Sequence, residues 1–128
     1  MTEQHDIQGM AAAVGRYFDL MHDADVARFE TVFRLSAQLH GFRDGAMTLI
    51  PAATYKELLA SRPSPKSVGA PREEAILLMD FASETQALVK VRVRINTIVY
   101  VDYLTYHRID GAWLITSKGF HIERRIAA

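Results

Sequence analysis

The feature that most limits what this chain can become is its last third, Ile98 to Phe120, which reads IVYVDYLTYHRIDGAWLITSKGF. Apolar and polar residues alternate on both sides of Asp110-Gly111, a dipeptide suited to a two-residue hairpin turn. The segment therefore reads as two long antiparallel strands. Successive strand side chains point to opposite faces, so Ile98, Tyr100, Asp102, Leu104 and Tyr106 share one face. Asp102 is the single carboxylate among them. A buried acid in such company demands a hydrogen bond, an ion pair or a proton.

Upstream, Ile7, Met10, Val14, Tyr17, Phe18 and Met21 recur at helical spacing, which predicts an amphipathic helix over residues 6–22. Asp23-Ala24-Asp25 ends it and supplies an N-cap for a second short helix, with Val26, Phe29, Val32 and Phe33 on one stripe. Leu35, Ala37 and Leu39 then alternate with polar residues as a strand. Gly41 to Gly45 forms a turn, and Ala46 to Ile50 returns as a second strand. Pro51 suits the first turn of a third helix running to about Ser61. Arg62 to Arg72 (RPSPKSVGAPR) is the one stretch with the composition of a mobile loop. Four long strands follow, at about 73–83, 87–96, 98–108 and 112–122. Helices gathered on one side of an antiparallel meander define an α+β domain.

A chain of 128 residues fits one domain, 1–128, with a real core. Fifteen basic and fifteen acidic residues (15 each) leave no overall field to attract nucleic acid or an anionic membrane. With no cysteine there is no disulfide framework, thiol nucleophile or zinc-thiolate site. The histidines fall on separate elements without the spacing of a helical zinc motif, so neither a metal nor a cofactor is expected. The opening MTEQHDIQGM lacks the pattern of a signal peptide, and no apolar run approaches a membrane span. The expected location is the cytoplasm.

The order of elements, with AVGRYFDLMHDAD (Ala13–Asp25), VFRLSAQLHG (Val32–Gly41) and YVDYLTYHRIDGAWLITSKGF (Tyr100–Phe120), resembles the nuclear transport factor 2-like superfamily across nearly the whole chain. Within it, the last stretch looks most like the small proteins grouped as lumazine-binding, next to the SnoaL-like polyketide cyclases. The resemblance implies a cone-like half-open barrel: about three N-terminal helices packed on a curved, mainly antiparallel sheet of about six strands, around a pocket. The superfamily also contains ketosteroid isomerase. By that likeness Tyr17 takes the place of the oxyanion tyrosine, and Asp102 that of a neutral aspartic acid donor. The catalytic base would fall at Gly41, which cannot serve; adjacent His40 is the substitute candidate, although a regular strand aims it at the other face.

The residues expected to carry chemistry are therefore Tyr17, Asp102 and His40. Each has a plainer structural reading: a core tyrosine with one hydroxyl partner, a structural acid, a polar strand-end histidine. Tyr17, Phe18, Phe33, Leu104, Tyr106 and Lys118 are the expected ligand-binding residues. Lys90, Arg92 and Arg94 alternate with valines and mark a solvated or interface face of their strand. No phosphate loop and no nucleophile elbow occurs. The chain is expected to hold a small hydrophobic or aromatic molecule in a mostly apolar pocket. The alternative is a cofactor-independent lyase, isomerase or cyclase working by acid–base chemistry. A homodimer through the sheet is expected in either case.

Overall fold

The computed structural model describes residues 5–127. Met1 to Gln4, the start of the segment read above as lacking a leader pattern, and Ala128 lie outside the described residues. Helix α1 (Ile7–Asp23) is capped by Asp6, whose side chain accepts a hydrogen bond from the Gly9 N–H at 2.9 Å. Its apolar stripe, with Met10, Val14, Tyr17, Phe18 and Met21, is buried against the sheet. Ala24, in the left-handed region at φ 53°, closes the helix by donating its N–H to the Leu20 carbonyl.

The second expected helix is shorter and tighter than the periodicity suggests. Asp25 caps it as expected, but it is a 3₁₀ turn confined to Val26–Thr31. Phe33 instead opens β1 (Phe33–Arg43), with Ile115 as its register partner, while the Ile115 N–H bonds the Val32 carbonyl at 2.8 Å. A short apolar run does not separate helix from strand, and long-range pairing decided this one.

β1 continues past Gly41, where the sequence suggested a turn, and the turn itself is Asp44-Gly45 with φ of 52° and 81°. β2 (Ala46–Pro51) returns antiparallel, and α2 (Ala52–Ser61) begins directly after Pro51. The segment after α2 holds a brief helical turn at Lys66–Val68 and is tied to α1 where Arg72 donates to Asp19 at 2.9 Å. β3 (Glu74–Phe81), β4 (Gln86–Ile95), β5 (Ile98–Ile109) and β6 (Ala112–Arg125) form the meander. Asp110 and Gly111 make the final hairpin turn with φ of 50° and 81°, the paired positive values that sequence predicts.

The six strands form one sheet in the order β2-β1-β6-β5-β4-β3, antiparallel except where β1 runs parallel to β6. It is half-open, not closed into a barrel. Its inner face carries Leu39, Val89, Val91, Leu104, Tyr106 and Ile115, all buried against the helices. Lys90, Arg92 and Arg94 lie on the outer face, where Arg92 grips Glu123 with bonds of 2.8 and 3.0 Å.

One irregularity controls the site. Thr105 pairs with Ser117 and Tyr106 with Ile115, so Thr116 is an extra residue in β6. This β-bulge reverses the alternation: Trp113 and Ile115 point inward before it, Lys118 and Phe120 after it. A regular strand would have put Lys118 on the outer face. Among the described residues, no helix is long and apolar enough to cross a membrane.

Candidate functional site

Tyr17 from α1, Asp102 from β5 and Lys118 from β6 meet inside the domain core, with relative exposures of 0%, 0% and 3%. Register explains the meeting of the two strands: Asp102 stands opposite Phe120 and Leu104 opposite Lys118, so acid and amine are diagonal neighbours on one face. The Tyr17 hydroxyl donates to Asp102 Oδ2 at 2.6 Å. Lys118 Nζ lies 3.7 Å from the same oxygen. It also sits 5.0 Å from the ring centroids of both Tyr17 and Tyr55, a cation–π arrangement on two sides. Its hydrogen-bond partner among the described residues is Met21 Sδ, at 3.9 Å.

Burial pushes the Asp102 carboxyl above its usual range, while the Lys118 ammonium and the Tyr17 hydroxyl pull it back. Burial alone would lower Lys118, but Tyr55, Asp102 and Tyr100 beside it hold the amine above its usual value. The Tyr17 phenol is raised well above its ordinary value, first by burial and then by the neighbouring acid. Burial likewise raises Tyr106, whose hydroxyl has no hydrogen-bond partner among the described residues. The Lys118 amine is thus held toward its ammonium form by its neighbours, while burial holds the Asp102 carboxyl toward its protonated form.

Lys118 is also where this cluster reaches the outside. It lines a narrow cleft, partly open to solvent, between the inner face of the sheet and α2. Met21, Leu39, Tyr55, Tyr100 and Phe120 form its walls, and Arg62 to Pro65 form part of its rim. Arg43, near the end of β1, donates from Nη2 to the Tyr100 hydroxyl at 3.0 Å and holds its guanidinium 5.9 Å from the Phe120 ring centroid. Its Nε is buried without a hydrogen-bond partner among the described residues, as is Asn96 Oδ1 in the same lining.

The sequence-derived candidates divide accordingly. Tyr17 and Asp102 do come together, but they bond to each other behind Lys118, and neither lines the cleft. Phe18 and Phe33 pack around the Tyr17 ring at centroid distances of 6.0 and 6.1 Å. Leu104 and Tyr106 are fully buried on β5. His40 projects from the outer face, between Leu39 and Gly41, which are buried on the inner one. Among the expected ligand-binding residues, Lys118 is the one that reaches the cleft.

Sequence reasoning missed Arg43, Tyr55, Tyr100 and Phe120. The available signal was Tyr100, already on the face of Asp102; the bulge at Thr116 hid Phe120, and Arg43 lies in the stretch read as a turn. Gly41 has a structural cause of its own. A Cβ there would lie 2.3 Å from the Phe120 carbonyl oxygen and 2.6 Å from its ring, so Phe120 fills the space a catalytic side chain would need.

Comparisons with known proteins agree with this architecture. The family model described as "Putative lumazine-binding" matches residues 5–121. A crystal structure of an NTF2-like protein of unknown function from Silicibacter pomeroyi superposes with a TM-score of 0.78 at 21% identity, covering 91% of this chain and 95% of that one. A similar protein from Shewanella baltica gives 0.77 at 20% identity, covering 91% and 93%. A ketosteroid isomerase-like protein from Erwinia carotovora atroseptica gives 0.71 at 12% identity, covering 93% and 97%. At these identities the likeness is one of fold. No curated protein matches the sequence.

Proposed function

Because the chain belongs to the family described as "Putative lumazine-binding", within the NTF2-like superfamily, we propose that it holds a small, partly hydrophobic molecule with a flat or aromatic body in the cleft beside Lys118. The observation that carries this reading is the wall composition. Tyr55, Tyr100, Phe120, Leu39 and Met21 converge on a cleft that contains only a few placed polar groups. Such a concave, mainly apolar surface with sparse polar anchors is the usual form of a small-molecule site. The family description suggests that heteroaromatic rings of the lumazine type belong among the first compounds tried.

A second reading, a cofactor-independent lyase, isomerase or cyclase, draws support from the buried Tyr17, Asp102 and Lys118 cluster. Two observations favour binding over it. The Tyr17 proton is already committed to Asp102, and the position where a base would stand is closed by Phe120 at Gly41. His40, on the outer face, is poorly placed to replace it.

The test is a ¹H–¹⁵N titration of the full chain with lumazine and a panel of simple benzenoid compounds. Binding in the cleft shifts the amides of Leu39, Tyr55, Tyr100 and Phe120 together. A panel that leaves all four unmoved at millimolar concentration contradicts the proposal.

A further inference from the structure

Resting on that reading, we infer that the molecule held in the cleft is an organic anion of the carboxylate class, its charged end set between Lys118 and Arg43. Three cations, Lys118, Arg43 and Arg62, line the cleft, and no aspartate or glutamate does. Their charges are unequally compensated. Lys118 has Asp102 at 3.7 Å on the core side. Arg43 and Arg62 have no carboxylate partner among the described residues, whereas Arg72 has two, Asp19 and Glu74. The cleft thus carries an excess of positive charge, with Lys118 buried, Arg43 half-buried and Arg62 exposed at the rim.

Hydrogen-bonding capacity points the same way. The Lys118 ammonium has three N–H donors, and its hydrogen-bond partner among the described residues is a thioether, a weak acceptor. The Tyr55 hydroxyl donates to the same sulfur at 3.2 Å and can re-aim toward an oxygen. Arg43 is held against Tyr100 and Phe120 yet keeps a buried Nε–H unmatched. These donors need acceptors and charge, which a carboxylate supplies with two oxygens. The apolar walls of Leu39, Ile50 and Phe120 call for an organic body behind that charge rather than a free inorganic anion.

The experiment compares benzoate, benzamide and inorganic phosphate by calorimetry on the full chain at neutral pH and low salt. Benzoate and benzamide share a shape and differ in charge. Benzoate is expected to bind at least about tenfold more tightly than benzamide, the size of one charge-assisted hydrogen bond. Phosphate is expected to bind more weakly than benzoate. Arg62→Gln, a change at an exposed rim position, and Arg43→Gln are each expected to lower the ratio of benzoate to benzamide affinity, and a ratio unchanged in both variants overturns the anion inference.

Equal or tighter binding of benzamide overturns the anion inference and leaves the cleft reading standing. Phosphate matching benzoate overturns the organic-anion class. If neither aromatic probe binds and the cleft amides do not move with the wider panel, both readings fall together.

Discussion

Asp102 and Lys118 are tolerable in the core only as a pair. Each would be an uncompensated buried charge without the other, and Tyr17 would lose the acceptor it holds at 2.6 Å. Asp102→Leu is therefore expected to destabilise the protein by about 3–5 kcal/mol in urea unfolding. The double variant Asp102→Leu with Lys118→Met should recover a large part of that loss, because no lone charge remains. A strictly additive double variant would contradict the coupling. The pH dependence has a definite sign. The native carboxyl is raised from its ordinary 3.8, so the folded state keeps a proton that the unfolded state has released. Stability should accordingly fall as pH rises from 3.8 toward the raised value, and Asp102→Asn should remove that fall. Lys118 is raised as well, from 10.5, so the stability it contributes is complete below 10.5 and is lost only as alkaline pH passes its native value.

At the scale of elements, the contact of β1 with β6 sets the cleft. Gly41 admits Phe120, and Phe120 in turn forms a wall beside Lys118. Gly41→Ala forces the Phe120 backbone or ring to move and is expected to destabilise by about 1–3 kcal/mol, as overpacking does. Urea unfolding measures it, and an unchanged midpoint would show that the strand contact is looser than the geometry states. The same elements show what the sequence reveals and what it conceals. The alternation of Tyr100, Asp102, Leu104 and Tyr106 was legible because β5 is regular through them, and Asp110-Gly111 was legible because its backbone angles need those residue types. Phe33 was misplaced because a stripe of four apolar residues, Val26, Phe29, Val32 and Phe33, fits a helical turn as well as a strand end. The inward aim of Lys118 was expected only through family likeness. Its physical cause, the extra Thr116, is a register event that composition and spacing do not record. Tyr17 and Asp102 do meet, and the length of the bond between them depends on a geometry that no one-dimensional pattern contains.

For the molecule as a whole, the two faces of the sheet have different prospects. The inner face holds the core and the cleft. The outer face leaves Phe42, Met47 and Leu49 exposed at 66%, 59% and 53% on adjoining β1 and β2. Exposed apolar side chains grouped in this way fit an isologous contact between two copies. A homodimer mass by light scattering at micromolar concentration is the expected outcome, with Phe42→Asp shifting it toward monomer; a monomer mass for the unaltered chain would remove the dimer. The segment 62–72 should show faster amide exchange than the sheet, since its prolines deny it ladder hydrogen bonds. Exchange at Ser64, on the cleft rim, should slow when a ligand is bound. Uniformly slow exchange across 62–72 without ligand would contradict that. A small molecule is expected to bind in the cleft beside Lys118 and not on the apolar outer face. Intermolecular NOEs from bound benzoate to the protein separate the two sites. Contacts to the rings of Tyr55 and Phe120 and to the Met21 methyl group are expected; contacts to Phe42, Met47 and Leu49 instead would overturn the assignment of the cleft.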